Sequence, residues 1–266
     1  MINQEGLGVA ALGTGGPTPN APELQQSGLV ALLDNILRRR EAFFTEIFEG
    51  VNLHARIRQF LVAIVTLGAI YGVTMGATAF SVGLDRGGLQ MLSSGIKVPL
   101  LYLLTLLVCY PVLFIILVLM GSRLSFVQTL ALILLALTFN SVLLASFAPI
   151  VAFFSITGSS YEFIKLLHVV VMTFSGFWGM IALYQGLREM CEKSNLYPKR
   201  VVEILRVWIL VFGFVGTQMA WSLRPFIGNP SEEFAIFREG REGNFYSAVA
   251  RSAIDLVREN TDSDRR

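Results

Sequence analysis

Few residues of this sequence are of the types that carry acid–base or metal chemistry. It has two histidines, His54 and His168, and two cysteines, Cys109 and Cys191, none of them at metal-ligand spacing. The motifs HExxH, GxSxG and GxxxxGKS/T are absent, and no pair of aspartates lies within an apolar run. We therefore predict that the protein is not an enzyme and has no catalytic residues, no metal site and no cofactor.

Three polar residues within apolar runs are candidates for binding a ligand or relaying protons. His168 follows Glu162 and Lys165 at the entry of one run, so it joins interfacial ion pairs or serves in a proton or substrate relay. Asn140 and Gln218 form hydrogen bonds between helices or coordinate a ligand in a cavity. The interfacial and interhelical roles are favoured, because the ionisable residues lie near the ends of the runs.

The amino-acid composition of the chain is typical of a membrane protein. Of the 266 residues, 54% are hydrophobic and 15% are charged, and the mean hydropathy is +0.62. One soluble core of this length cannot bury so much apolar surface, which predicts a lipid bilayer as a partner. The formal charge of +2 is small and the bases cluster beside apolar runs, so we predict no nucleic-acid binding.

The apolar runs predict an all-α transmembrane bundle of about five spans. The first run has 21 residues without a charge, and a helix of that length covers about 30 Å, the thickness of the hydrocarbon core. Pro111 lies inside the second run and predicts a kink. The predicted spans are 60–80, 98–120, 124–156, 166–187 and 207–223.

The third run is too long for one perpendicular crossing, since its 33 uncharged residues would form a helix of about 50 Å. We expect a break at Asn140, Ser141 or Pro149. We predict that the later part of the run crosses the membrane once. A helix that begins at Leu124 and lies partly in the interface precedes this crossing. The alternatives are a re-entrant pair or two crossings, and two crossings would invert the topology of everything downstream.

The segments outside the spans have patterns of their own. Residues 1–26 are rich in glycine and proline, which predicts a disordered arm. Residues 27–58 predict an amphipathic interfacial helix, whose apolar stripe lies on the membrane or packs on the bundle or a partner helix. The tail, 224–266, is polar, and Asn244 is an N-cap for a second amphipathic helix that needs a surface to cover.

Glycine spacing provides the most specific local signal. Gly68, Gly72 and Gly76 recur at every fourth position of the first span and leave one helix face bare, so another helix backbone can approach closely. The partner is another span of this chain or a second protomer. Further packing glycines in the fourth and fifth spans are Gly176, Gly179, Gly213 and Gly216.

The distribution of bases predicts that the N-terminus is cytoplasmic. Bases are most frequent before the first span and in the loop 188–200, and both lie on the N-terminal side if there are five spans. The bases of the first group are Arg38, Arg39, Arg40, Arg56 and Arg58. The tail beyond Leu223 is then external.

Two stretches resemble known membrane proteins. Residues 95–133, GIKVPLLYLLTLLVCYPVLFIILVLMGSRLSFVQTLALI, are similar to the Yip-like family of five-span membrane proteins, with a span, a short glycine-basic turn and an SF-x-Q-x-L segment. The resemblance implies partner binding in membranes without catalysis. The block MAWSLRPFIGNP, which begins at Met219, resembles one in uncharacterised bacterial inner-membrane proteins, and it implies a plasma (inner) membrane location.

Two functional hypotheses remain open. The favoured one is a non-enzymatic membrane scaffold or complex subunit, which binds other membrane chains or a second protomer. The alternative is a small-solute transporter or channel, in which Pro111, Asn140 and Pro149 make discontinuous helices around a site near the midplane. A polar cavity that reaches Asn140 or Gln218 would favour transport, and a solid bundle would favour the scaffold.

Overall fold

The computed structural model describes residues 28–77, 79, 84–119, 121, 124–157, 160–193, 198–227, 235 and 245–263. Helices without any strand make up the described part of the chain, so the predicted all-helical class is confirmed. The predicted arm, 1–26, lies outside it. The helices are α1 (Gly28–Arg38), α2 (Arg40–Glu49), α3 (Leu53–Gly76), α4 (Leu84–Leu119), α5 (Phe126–Ser146), α6 (Ala148–Ile156), α7 (Tyr161–Lys193), α8 (Pro198–Ser222) and α9 (Phe245–Ser263).

Four helical segments of the described chain are long and apolar enough to cross a membrane. They are Leu53–Gly76, Gly87–Leu119, Phe126–Ile156 and Tyr161–Glu189. The shortest has 24 residues and is about 36 Å long, more than the hydrocarbon core requires. The chain is therefore an integral membrane protein. The predicted fifth span, 207–223, coincides largely with α8, and its crossing stays a prediction.

Local sequence sets where the third candidate span begins and bends. Ser125 and Gln128 form a capping box, in which Ser125 Oγ accepts from Gln128 N at 3.2 Å and Gln128 Oε1 accepts from Ser125 N at 2.8 Å. The α-helix is interrupted at Phe147, just before Pro149 enters the first turn of α6. Asn140 and Ser141 do not break the helix, because both continue it with their side chains buried.

The helix α5 is the centre of the bundle. It packs against α3 on one side and α7 on the other, while α4 packs on α3 and α8 packs on α4. Most residues from Thr129 to Leu144 are buried. Their burial places the first half of the third run inside the bundle, whereas we expected an interfacial helix there and the crossing in the later half.

The N-terminal amphipathic segment is two helices rather than one. The α-helix is interrupted at Arg39, and residues 53–58 belong to α3. Its apolar stripe packs on the chain's own bundle, which was one of the predicted alternatives: Leu32, Ile36, Phe43, Phe44 and Ile47 are all buried in the main apolar core. The interfacial position predicted for 27–58 stays a prediction.

Buried polar contacts fasten α2 to the spans. Arg56 Nε donates to Glu46 Oε1 at 2.8 Å, and both side chains are largely buried. The Arg56 guanidinium also lies 5.2 Å from the centre of the Phe43 ring. Gln128 Nε2 donates to the Phe48 carbonyl oxygen at 2.7 Å, which ties the end of α2 to the start of α5.

Shortening a buried side chain of α2 should destabilise the whole bundle. Ile47→Ala removes a fully buried side chain, and such changes cost about 2–5 kcal/mol. We expect a lower melting temperature for Ile47→Ala in detergent, measured by thermal unfolding. Val30→Ala is the control, because Val30 is 80% exposed and the change should alter stability by less than about 0.5 kcal/mol. Equal melting temperatures would contradict the docking of α2.

Candidate functional site

The glycine repeat of α3 lies against α4 of the same chain. A Cβ on Gly72 would overlap the Ser94 carbonyl, and one on Gly76 would lie 2.6 Å from Met91 Cα. At Gly68 the Pro99 ring is the neighbour, at 3.3 Å. The bare face therefore serves contact between the α3 and α4 backbones inside the bundle, which is the internal alternative for its partner.

The other predicted packing glycines divide into two groups. Gly179 lies against α5, since its Cβ would be 2.8 Å from Asn140 Cβ, and Gly216 lies near the Thr105 side chain of α4. Gly176 and Gly213 differ from these, because a Cβ on either would have no atom within 4 Å. Helix packing within the described chain therefore explains Gly179 and Gly216. It does not explain Gly176 and Gly213, whose packing role stays a prediction.

His168 forms a buried pair with Tyr71 rather than an interfacial ion pair. The Tyr71 hydroxyl and His168 Nδ1 are 2.8 Å apart, and the two rings meet edge to face with centroids 5.5 Å apart. Whichever atom donates, the second ring nitrogen has no hydrogen-bond partner in the described part of the chain. Glu162 and Lys165 form the predicted ion pair without it, at 2.7 Å.

Asn140 forms a second buried polar pair, with Tyr102 of α4. Its Nδ2 donates to the Tyr102 hydroxyl over a long hydrogen bond of 3.4 Å. Its Oδ1 is buried and accepts no hydrogen bond from the residues that the structure describes. The amide nitrogen of Asn140 thus forms a hydrogen bond between helices, which is one of the two predicted roles. The amide oxygen has no partner in the described part of the chain.

A small recess between α5, α7 and α8 reaches Asn140. Its volume is about 10 Å³, close to the minimum that holds one water molecule. Gln218 does not line it, and its backbone carbonyl accepts a hydrogen bond from Ser222 Oγ on the same helix. The lining residues are Ile133, Ala136, Leu137, Asn140, Gly176, Gly179, Met180, Leu183, Trp208 and Phe212.

One polar cluster was not predicted. Gln90, Ser94 and Lys97 of α4 hold the backbone that follows α8, where Lys97 Nζ donates to Pro225 O at 3.0 Å and Gln90 Nε2 donates to Phe226 O at 3.0 Å. The Ser94 hydroxyl donates to the same Phe226 oxygen. A signal existed in the sequence, since residues at i, i+4 and i+7 share one helix face. The predicted spans 60–80 and 98–120 left these three residues in the loop between them, whereas the structure has them on α4.

Among the residues that the structure describes, no group of three or more histidine, cysteine, aspartate or glutamate side chains could hold a metal ion. His54 is exposed on α3, and Cys109 is a buried free thiol on α4. Neither residue is a member of the Tyr71–His168 pair. The buried polar pairs and the cluster on α4 can hold helices together, and each can accept or donate single hydrogen bonds.

Comparison of the chain with protein-family models, with curated proteins and with solved structures finds no match.

Adding a single methyl group at the α3–α4 contact should destabilise the protein. Gly72→Ala places a Cβ against the Ser94 carbonyl and the Gly95 backbone, so the two helices must move apart. We expect a melting temperature lower by several degrees, measured in detergent by thermal unfolding. The matched control is Gly213→Ala, which meets open space and replaces a helical glycine by a better helix former. A melting temperature unchanged in Gly72→Ala would refute the contact.

Proposed function

We propose that the protein is a non-enzymatic membrane scaffold or complex subunit, which holds other membrane chains. The observation that carries this proposal is the burial of side chains at the centre of the described bundle, where most residues of α5 from Thr129 to Leu144 are buried. The recess at Asn140 has room for about one water molecule, whereas a solute pathway needs a cavity of the size of its solute. Polar side chains of the spans are used instead to join helices, as in the Tyr71–His168 and Tyr102–Asn140 pairs.

The outer surface supports the same proposal. Large apolar side chains are exposed on most of the described helices, and lipid or a partner helix must cover them. They include Leu107 and Ile115 of α4, Phe177 of α7, and Leu210 and Phe214 of α8. The resemblance to Yip-like proteins fits a role in partner binding, and we propose with it an inner-membrane location and a cytoplasmic N-terminus.

Purification in a mild detergent, followed by native mass spectrometry, tests this function. We expect defined partner chains to elute with the protein in a constant ratio. A second tagged membrane protein of similar size, purified in the same way, is the control for specificity, because adventitious partners should elute with both proteins. A protein that elutes alone from detergent and also from nanodiscs formed directly from membranes would contradict the proposal.

Proton-coupled transport is the second candidate, and one observation favours it. His168 is an ionisable residue within a candidate span, 1% exposed, with one ring nitrogen that has no partner among the described residues. Ionisable residues at membrane depth often mark pathways for ions or protons. The Tyr71 hydroxyl is in direct contact with the ring and could pass a proton to it.

A flux assay separates the two candidates. Under the scaffold proposal, proteoliposomes with an internal pH-sensitive dye should respond to an imposed pH step no faster than empty liposomes. His168→Phe keeps a ring of similar size and removes both nitrogens, so it is the matched variant for any flux that occurs. A flux in the native protein that is lost in His168→Phe would favour transport and overturn the scaffold.

A further inference from the structure

The tail helix α9 has three sides with different surroundings. One side packs on α7 and α8. A second side is exposed and charged, with Arg251, Asp255 and Arg258. The third side is exposed and apolar, and its residues recur at every fourth position. They are Tyr246, Ala250 and Ile254. Apolar residues at helical spacing indicate a side that meets an apolar surrounding.

Contacts of α8 give the depth at which α9 begins. Gly216 of α8 lies beside Thr105, whose side chain is 3.6 Å from the position of a Cβ on this glycine. Thr105 is near the middle of the second candidate span. Tyr246 meets α8 at the same level, because its ring stacks on Phe214 with centroids 6.5 Å apart and its hydroxyl lies 3.2 Å from Thr217 Oγ1. The first turn of α9 is therefore level with the middle of a candidate span.

The Tyr246 hydroxyl has the hydrogen bond that this depth requires. Thr217 donates its single hydroxyl hydrogen to the Phe214 carbonyl oxygen at 2.8 Å, so Tyr246 is the donor in the contact with Thr217. Hydrocarbon contains no water that could accept this bond, and the protein must supply the acceptor. Thr217 is that acceptor.

The exposed half of Tyr246 also extends the apolar outer surface of α8. Phe214, on which its ring stacks, is more than half exposed, and Leu210 one turn earlier is exposed further. At the middle of its spans an integral membrane protein meets the acyl chains of lipids. Because the apolar side of α9 begins on this surface, lipid is the surrounding that fits both helices.

The charges of α9 fit a helix that begins at this depth and ends at a membrane surface. Residues 245–250 carry no charge, and residues 259–263 are all polar. From Tyr246 to Arg258 the helix rises about 18 Å, slightly more than half of the roughly 30 Å hydrocarbon core. Arg258 then lies at the headgroups with Asp255 within one turn of it, and the long side chain of Arg251 can extend towards the same level.

We propose that α9 enters one leaflet of the bilayer, where lipid acyl chains contact Tyr246 and Ala250 and headgroup phosphates contact Arg251 and Arg258. The tail helix is then a half-crossing element on the flank of α7 and α8, and not a helix in water. Such lipid contact goes beyond the proposed function, since a scaffold and a transporter could equally possess it.

Spin labels on single cysteines measure the depth of α9 in lipid bilayers. The full-length protein carries the label at Ala250→Cys or at Arg258→Cys, in a background with Cys109→Ala and Cys191→Ala. We expect a charged paramagnetic chelate in the water to collide with the label at position 250 at least about tenfold less often than at position 258, since charged solutes are strongly disfavoured in hydrocarbon. Melting curves verify that the labelled variants fold.

Leu107→Cys is the reference for the bilayer centre, because Leu107 is largely exposed near the middle of its candidate span. Oxygen dissolves in hydrocarbon and should reach the label at position 250 about as often as at position 107. Equal access of the chelate to positions 250 and 258 would place α9 in water and overturn the proposal. Access of neither oxygen nor chelate to position 250 would also overturn it, because protein would then cover this side.

Hydrogen exchange tests whether the Tyr246 contact holds α9 at this depth. Thr217→Val leaves the Tyr246 hydroxyl without its acceptor, so the backbone amides of α9 should exchange about three- to tenfold faster, in keeping with one interhelical hydrogen bond in a membrane. Thr173→Val is the matched control, because Thr173 is also exposed and donates to a carbonyl oxygen of its own helix, that of Val169. Exchange of α9 should be unchanged in this control, and equal rates in the two variants would contradict the proposed position of α9.

Discussion

At Gly72 the backbones of α3 and α4 meet with no side chain between them, and the positions of several polar groups follow from this approach. The next residue towards the N-terminus, Tyr71, then points across the bundle to His168. On the α4 side, the carbonyl of Ser94 abuts Gly72 while its hydroxyl donates to the Phe226 oxygen. One turn of α4 thus packs on α3 and also holds the chain after α8.

The bilayer constrains the remaining polar groups of the spans to find hydrogen-bond partners within the protein. In hydrocarbon there is no water to satisfy a hydroxyl or an amide, so it must bind within the protein. Thr105, Thr138 and Ser141 each donate to the carbonyl oxygen four residues earlier in their own helix, and they need no other partner. Tyr71 and Asn140 reach other helices instead, and they bind them to the centre of the bundle.

Much of the fold could be predicted because the features that indicate a membrane helix lie within one continuous stretch of sequence. Long uncharged runs predict the candidate spans, and glycines at every fourth position predict a close contact, without reference to distant residues. The break in the third run was harder to locate. Asn140 has a polar side chain that can leave a helix unbroken when another helix satisfies it, whereas Pro149 cannot donate a backbone hydrogen bond. The cluster at Lys97 was missed because its acceptors lie 128 residues away along the chain.

Two of the buried side-chain atoms that have no hydrogen-bond partner in the described part of the chain, His168 Nε2 and Asn140 Oδ1, lie in different surroundings. His168 is 1% exposed, and its ring packs edge to face against Tyr71, which belongs to the apolar cluster that contains Val171 and Leu144. Asn140 instead lines the small recess between α5, α7 and α8, and its Oδ1 is buried. Neither unpartnered atom is accessible in this arrangement, so a group from outside reaches either one only if side chains or helices move. This closed arrangement is one reason for which we propose a scaffold rather than a pathway for a solute.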